Sequence, residues 1–151
     1  MAYTKCTRIL EQPAERIFAR MLELESWSSF RGYGPIPGIR AARFLERTPE
    51  LVGSRIAVEN LDGSRHVERI AVWREPHAIE MHMSELSPPL SRLATHIVET
   101  WRFEPTPEGT RATRAFELHP RGLAGRLMLP LIAFLLGRAA ARHLRELDAA
   151  P

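Results

Sequence analysis

The longest apolar pattern in the chain lies near its end, over residues 121–147. Apolar side chains recur there at spacings of three and four, the repeat of one face of an α-helix. They are Leu129, Ile132, Ala133, Leu136, Ala140, Leu144 and Leu147, with Arg138, Arg142 and Arg145 repeating on the other side. The pattern predicts one long amphipathic helix. We expect a kink near Pro130, because proline removes a backbone donor and crowds the preceding turn.

Upstream of this helix, segments rich in strand-forming residues follow one another with turn signals between them. The predicted strands cover residues 3–11, 39–46, 54–61, 65–74, 78–84, 95–104 and 110–119. A short helix over 13–24 and a second short helix or turn over 25–30 follow the first strand. The proline-rich and glycine-rich segments 31–38 and 85–93 are predicted loops. Short connections between successive strands predict an antiparallel, strongly curved sheet, and therefore an α+β protein.

Composition limits the classes of protein to which this chain can belong. Its 151 residues fit one domain over 1–151, and 44% hydrophobic with 26% charged residues is typical of a soluble globular protein. Cys6 is the only cysteine, which excludes an intrachain disulfide and a cysteine metal cluster and favours a reducing compartment. The first residues lack the apolar core of a secretory signal. We therefore expect a cytoplasmic protein.

Charge and motif content argue against several partners. The net charge is +3 and the pI about 9.7, but only Lys5 of the 21 basic residues is a lysine, and the arginines are dispersed among acidic residues. Without a basic stripe interleaved with aromatic residues, we expect no nucleic-acid partner. The apolar run 127–136 is shorter than the about 20 residues that a membrane span needs. No phosphate-binding loop or metal-ligand spacing occurs, so no cofactor or metal is expected.

The order of these elements, together with several short motifs, resembles the START-like (SRPBCC) superfamily. Within it, the chain is most similar to the polyketide cyclase/dehydratase and lipid-transport family. The similar motifs are Pro13 with Ile17–Phe18 and Trp27, Val52–Gly53, Asp62–Gly63, Glu75–Pro76 and Gly109–Thr110–Arg111. The resemblance implies a helix-grip fold, in which a seven-stranded sheet wraps around the last helix and encloses an apolar cavity. It implies no single reaction, because members include carriers, sensors and cyclases.

The last two predicted strands before the long helix contain an acidic residue and an arginine that we expect to face inward. Trp101 and Phe103 are too large and apolar to face water together, so a strand period of two brings Glu99 inward as well. Counting back through the following turn sets Arg114 near Trp101 and diagonal to Glu99. Charges on an apolar wall are costly unless they are paired or touch a ligand. We predict that Glu99 and Arg114 anchor the polar end of a ligand. The alternatives are a structural ion pair and an opposite face assignment, which would leave both side chains in water.

A second group of titratable residues comprises Glu59, His66 and Glu68. If Asp62–Gly63 is a two-residue hairpin turn, Glu59 lies opposite His66, and Glu68 follows on the same face. A histidine between carboxylates can exchange protons near neutral pH, so these residues and Glu99 are the acid–base candidates. If this face is the outer one, they are ordinary surface pairs. Their spacing matches no established metal site.

Apolar side chains complete the predicted binding site. They are Met81, Met83, Trp101, Phe116, Ile132 and Leu136. The two methionines suit an irregular apolar ligand because their side chains are unbranched and adaptable. For the stripe of Met81 and Met83 with Ile79, packing in a solid core is the alternative, since such a stripe occurs more often in a core than in a cavity.

Three hypotheses for function follow. The leading hypothesis is binding of a small hydrophobic molecule, such as a lipid, an isoprenoid or a polyketide-like aromatic. The second is an enzyme of the cyclase or dehydratase type, and the third is a lipid shuttle whose arginine-bearing helix face touches anionic headgroups. One polar group or none in the cavity favours the carrier. A pair within proton-transfer reach, with both members lining the cavity, favours the enzyme. The ligand and the oligomeric state stay open.

Overall fold

The structure, a computed structural model, describes residues 1–149. The strands are β1 (Ala2–Leu10), β2 (Gly32–Tyr33), β3 (Ile36–Pro37), β4 (Ile39–Glu46), β5 (Arg55–Asn60), β6 (Arg65–Arg74), β7 (Ala78–Ser84), β8 (Ala94–Thr106) and β9 (Gly109–Pro120). The α-helices are α1 (Ala14–Met21) and α2 (Gly122–Ala149), and short 3-10 helices cover Leu24–Ser29 and Leu90–Arg92. The predicted order of elements is confirmed.

Seven strands form one antiparallel sheet in the order β1-β9-β8-β7-β6-β5-β4. Neighbours in this sheet are neighbours in the chain, except that β1 pairs with β9. The predicted α+β class and the seven-stranded antiparallel sheet are therefore confirmed. The sequence predicts only a loop over 31–38. The structure instead contains two short paired strands there, β2 and β3, around Gly34–Pro35. Strands of two residues are too short to show a period in the sequence.

The helix α2 lies on the sheet through the face that its apolar spacing predicts. Leu129, Ala133, Ala140, Leu144 and Leu147 are buried, and Ile132 and Leu136 are partly buried. The helix passes close over β1, because a Cβ at Gly137 would lie 2.3 Å from Thr4 Oγ1. Any other side chain there would require Thr4 to change its rotamer or the helix to shift. By length and composition alone, Gly122–Asp148 is also a candidate for crossing a membrane.

The core consists of two clusters. One joins α1, the first 3-10 helix and the end of α2 to the sheet through residues such as Leu10, Phe18, Ile79, Trp101 and Leu144. The other lies under the middle of α2 and contains Ile97, Phe116, Leu118, Leu129 and Ala133. Between these clusters and the helix, the sheet leaves a space that is not filled by side chains.

Candidate functional site

A cavity of about 340 Å³ lies between the sheet and α2. This volume is within the range of pockets that bind small molecules. All the apolar side chains predicted to contact a ligand line it: Met81, Met83, Trp101, Phe116, Ile132 and Leu136. Their contact with a ligand stays a prediction.

The cavity opens between loops at one end of the sheet. Among its lining residues, Pro35, Asp62, Arg65 and Pro89 are exposed to solvent, and they come from the β2–β3 turn, the β5–β6 hairpin and the β7–β8 connection. Charged groups that line the deeper part are buried. A ligand would therefore pass loop residues before it meets the buried polar groups.

Glu99 and Arg114 meet on the cavity wall, in the predicted register. Trp101 pairs with Arg114 across β8 and β9. Arg114 Nε donates to Glu99 Oε2, and Trp101 Nε1 donates to the same oxygen over 2.8 Å. Glu99 is only 3% exposed and Arg114 8%. Both charges are thus removed from bulk water while lining the cavity.

Aromatic rings surround the Arg114 guanidinium. Its central carbon lies 4.7 Å from the ring centre of Trp101, 5.1 Å from that of Phe116 and 5.3 Å from that of Phe30. Ring faces attract cations, and the attraction increases when the cation is desolvated. The three rings therefore help to hold a buried positive charge in place.

The structure adds His143 of α2 to this group. Arg114 Nη1 lies 3.1 Å from His143 Nδ1, and His143 Nε2 lies 3.2 Å from Ser29 Oγ. A guanidinium can only donate, so Nδ1 accepts and the ring proton lies on Nε2, which donates to Ser29. His143 is not among the residues predicted from the sequence. In the sequence, only its place next to Leu144, on the predicted buried face of the helix, suggests that it could be buried. The residue spacing does not show which part of the helix lies over Arg114.

Burial governs the protonation of this group. Desolvation raises the pKa of Glu99 above that of an ordinary carboxyl, although the charge of Arg114 and two hydrogen bonds act in the other direction. Burial, with Arg114 and Arg20 nearby, lowers the pKa of His143 to about 3. His143 is therefore a neutral hydrogen-bonding group at physiological pH.

His66 and Glu68 form a second polar pair on the cavity wall. His66 Nε2 and Glu68 Oε2 are 3.0 Å apart, and Glu68 is 4% exposed. Both side chains line the cavity. The charge of Glu68 is also close enough to raise the pKa of Glu99. The deeper part of the cavity thus contains two buried carboxylates, Glu68 and Glu99, each with its own hydrogen-bonding partner.

Glu59 is not part of this group, so the prediction that it opposes His66 is wrong. Val58 pairs with His66, and Glu59 pairs with Arg65. The hairpin has a three-residue loop, Leu61–Asp62–Gly63, closed by Asn60 and Ser64, with Gly63 at a φ of +87°. One extra loop residue moves Glu59 to the outer face, where it lies 3.7 Å from Arg40.

Other reactive groups are weak candidates. Burial raises the pKa of the Cys6 thiol, which disfavours the thiolate that a nucleophilic cysteine needs. Among residues 1–149, no three histidine, cysteine, aspartate or glutamate side chains are arranged to hold a metal ion. The chemistry of the cavity therefore rests on Glu99, Arg114 and His143 and on the His66–Glu68 pair.

Comparison with known proteins agrees with this architecture. The sequence matches the model of a family described as polyketide cyclase / dehydrase and lipid transport over residues 3–150. The chain belongs to this family. No curated protein matches it. The family supports hydrophobic ligand binding as a general activity without naming a ligand.

Solved structures share the fold at low sequence identity. A START superfamily protein from Mycobacterium smegmatis is 13% identical with a TM-score of 0.76, over 99% of this chain and 98% of that one. A protein from Thermus thermophilus is 17% identical with a TM-score of 0.72, over 97% and 94%. Major latex-like protein 151 from Panax ginseng is 15% identical with a TM-score of 0.66, over 99% and 98%. These similarities establish the fold.

His143→Asn is expected to reduce the decrease in the free energy of unfolding between neutral pH and mild acid. The unfolded chain protonates this histidine near 6.5, whereas the folded pKa is about 3. The stability that comes from a neutral His143 is complete above pH 6.5 and is lost as the pH falls towards 3, by up to about 1.4 kcal/mol per pH unit. Asparagine keeps an acceptor for Arg114 and does not titrate. Urea unfolding at several pH values measures both slopes; parallel slopes for the two proteins would contradict the prediction.

Proposed function

We propose that the protein binds a small hydrophobic molecule, such as a lipid, an isoprenoid or a polyketide-like aromatic, in the cavity under α2. The polar end of this molecule contacts Glu99 and Arg114. The observation that carries the proposal is a cavity with apolar walls and a buried, hydrogen-bonded cluster of charges on one of them. Family membership supports the same general activity.

The hydrogen-bonding capacity of this cluster is not used up. Among residues 1–149, Glu99 Oε1 and Arg114 Nη2 have no hydrogen-bond partner, although both side chains line the cavity. One group accepts and the other donates, so together they suit a ligand carboxyl, carbonyl or hydroxyl group. A buried ion pair adds little net stability by itself, so a role in ligand contact explains its presence better.

Glu99→Gln is expected to weaken ligand binding by about tenfold, or about 1.4 kcal/mol. The substitution keeps the volume of the side chain but removes the charge and one acceptor for the ligand. Binding is measured by the fluorescence of anilinonaphthalene sulfonate and by its displacement with oleic acid and with an aromatic polyketide. Thermal unfolding of each variant verifies that the cavity is folded.

Glu59→Gln is the matched control, because it makes the same change on the outer face of the sheet. This control should bind the dye as the wild type does. Equal affinity in Glu99→Gln and wild type would show that the ion pair is structural. Absence of saturable binding, or binding only after addition of a divalent metal, would refute the cavity as an apolar site.

One observation favours the cyclase or dehydratase type of activity as a second candidate. The cavity is lined by more polar groups than the one or none expected of a pure carrier. His66 and Glu68 lie 3.0 Å apart and both line it, which is the pair expected of an enzyme that uses acid–base catalysis. Incubation with an uncyclised poly-β-ketone distinguishes the two functions, when the mass of the recovered compound is measured by mass spectrometry. An unchanged mass supports a carrier. A decrease by one water, as ring closure and elimination would give, supports the enzyme if it depends on His66.

A further inference from the structure

The first half of α2 has a second apolar face, which points away from the sheet. Leu123, Leu127, Leu131 and Phe134, here called the outer stripe, are spaced by four, four and three residues and therefore share one side of the helix. They are 72%, 71%, 55% and 61% exposed. Large apolar side chains that are contiguous and exposed mark an interaction surface rather than ordinary surface composition.

The charge around the outer stripe has one sign. Residues 121–145 contain five arginines and no acidic residue, and the first acid is Glu146. Arg138 and Arg145 continue the outer side of the helix beyond Phe134, by the same spacing of three and four. Neither Arg126 nor Arg145 has an ion-pair partner among residues 1–149. The outer side of α2 is thus apolar in its first half and basic in its second.

The outer stripe lies on the back of the cavity wall. Ile132, Leu135 and Leu136 of the same turns line the cavity, while Leu131 and Phe134 alternate with them and face outward. Whatever contacts the outer stripe therefore contacts the helix that closes the cavity. This relation does not depend on which molecule the cavity binds.

We propose that the outer stripe inserts into the surface of a lipid bilayer that contains anionic phospholipids. Apolar residues beside arginines are the composition of helices that lie in the plane of a membrane, with the apolar side chains below the headgroups. The arginines complement the negative headgroups of such a surface. By helical position, Arg138 and Arg145 share the side of the stripe and Arg126 flanks it, and all three are exposed, so their side chains can reach headgroups when it inserts.

Charge also decides between this partner and a second copy of the chain. Two outer stripes packed against each other would bring Arg126 of both copies into one interface, and residues 121–145 contain no acidic residue to pair with it. Like charges facing each other across an interface oppose association. A bilayer with anionic headgroups supplies the missing negative charge.

The test is flotation of the whole protein with lipid vesicles in a density gradient. Vesicles of phosphatidylcholine with phosphatidylglycerol are expected to carry the wild type, and vesicles of phosphatidylcholine alone much less. Leu127→Ser/Phe134→Ser is expected to reduce partitioning onto the anionic vesicles by more than about tenfold, or about 1.4 kcal/mol. Arg126→Gln/Arg145→Gln is expected to reduce both partitioning and its salt dependence.

Leu45→Ser/Val52→Ser is the matched control, because it removes exposed apolar side chains outside α2 (41% and 39% exposed). This control should float as the wild type does. Equal flotation of the outer-stripe variant and the wild type, or no flotation of the wild type, would overturn the proposal. Light scattering measures the oligomeric state of both proteins. If the wild type is a dimer that does not bind vesicles, and Leu127→Ser/Phe134→Ser is a monomer, the outer stripe is an interface with a second copy of the chain.

Discussion

Arg114→Met is expected to lower the free energy of unfolding by about 3–5 kcal/mol. The variant leaves Glu99 buried in the cavity wall without its positive partner, and only the Trp101 indole continues to donate to it. An uncompensated buried charge costs more than the pair contributes, because one indole hydrogen bond does not replace the hydration that the carboxylate has lost. Urea unfolding at neutral pH measures the loss.

The double variant Glu99→Gln/Arg114→Met is expected to recover most of this stability, because it removes both charges. Arg111→Met serves as the control on the same strand. Arg111 pairs with Glu104 at 3.8 Å with both side chains in solvent, and an exposed pair of this kind is worth less than about 1 kcal/mol. If Arg114→Met lowered the free energy of unfolding as little as Arg111→Met, Glu99 would have to be neutral or hydrated in the folded protein.

Leu144→Ala is expected to cost about 2–5 kcal/mol of stability. Leu144 is 1% exposed and belongs to the cluster that joins the end of α2 to Leu10, Phe18 and Trp101. The substitution removes apolar surface from a fully packed site and leaves a cavity that its neighbours cannot fill. Thermal or urea unfolding of the purified variant gives the change directly.

Two other leucines of the helix test the same packing. Leu131→Ala is expected to change stability by less than about 0.5 kcal/mol, because Leu131 is 55% exposed. Leu136 belongs both to the predicted apolar face of the helix and to the predicted cavity lining. It is partly buried and lines the cavity, so its replacement should cost less than that of Leu144. Equal losses of stability in Leu131→Ala and Leu144→Ala would mean that α2 does not face the sheet with the side described here.

The β8–β9 wall could be predicted from the sequence in detail. Trp101 and Phe103 indicate which side of β8 is buried. Because side chains alternate along a strand, Glu99 faces the same side. The turn after β8 is short, so counting residues through it gives the correct partner, Arg114. Local spacing was sufficient because both strands and their turn are contiguous in the chain.

The β5–β6 hairpin shows how sensitive such counting is. Asp62–Gly63 indicates a turn but not its length, and a three-residue loop reverses the face of every residue on one strand relative to a two-residue loop. Asp62 Oδ1 accepts hydrogen bonds from the backbone nitrogen and the hydroxyl of Ser64, which stabilises the longer loop. His66 and Glu68 therefore share the cavity, while Glu59 does not.

The order of elements, the antiparallel sheet, the long helix with its buried face, and the inward position of Glu99 and Arg114 can all be predicted from sequence patterns. These features follow from local periodicity and turns, which act over neighbouring residues. By contrast, no sequence pattern shows that His143 completes the polar cluster or that the outer stripe stays exposed. In its first half, α2 is apolar on more than one side, so periodicity cannot say which side meets the sheet. That choice depends on contacts between α2 and strands far away in the chain, such as Gly137 with Thr4 and His143 with Arg114.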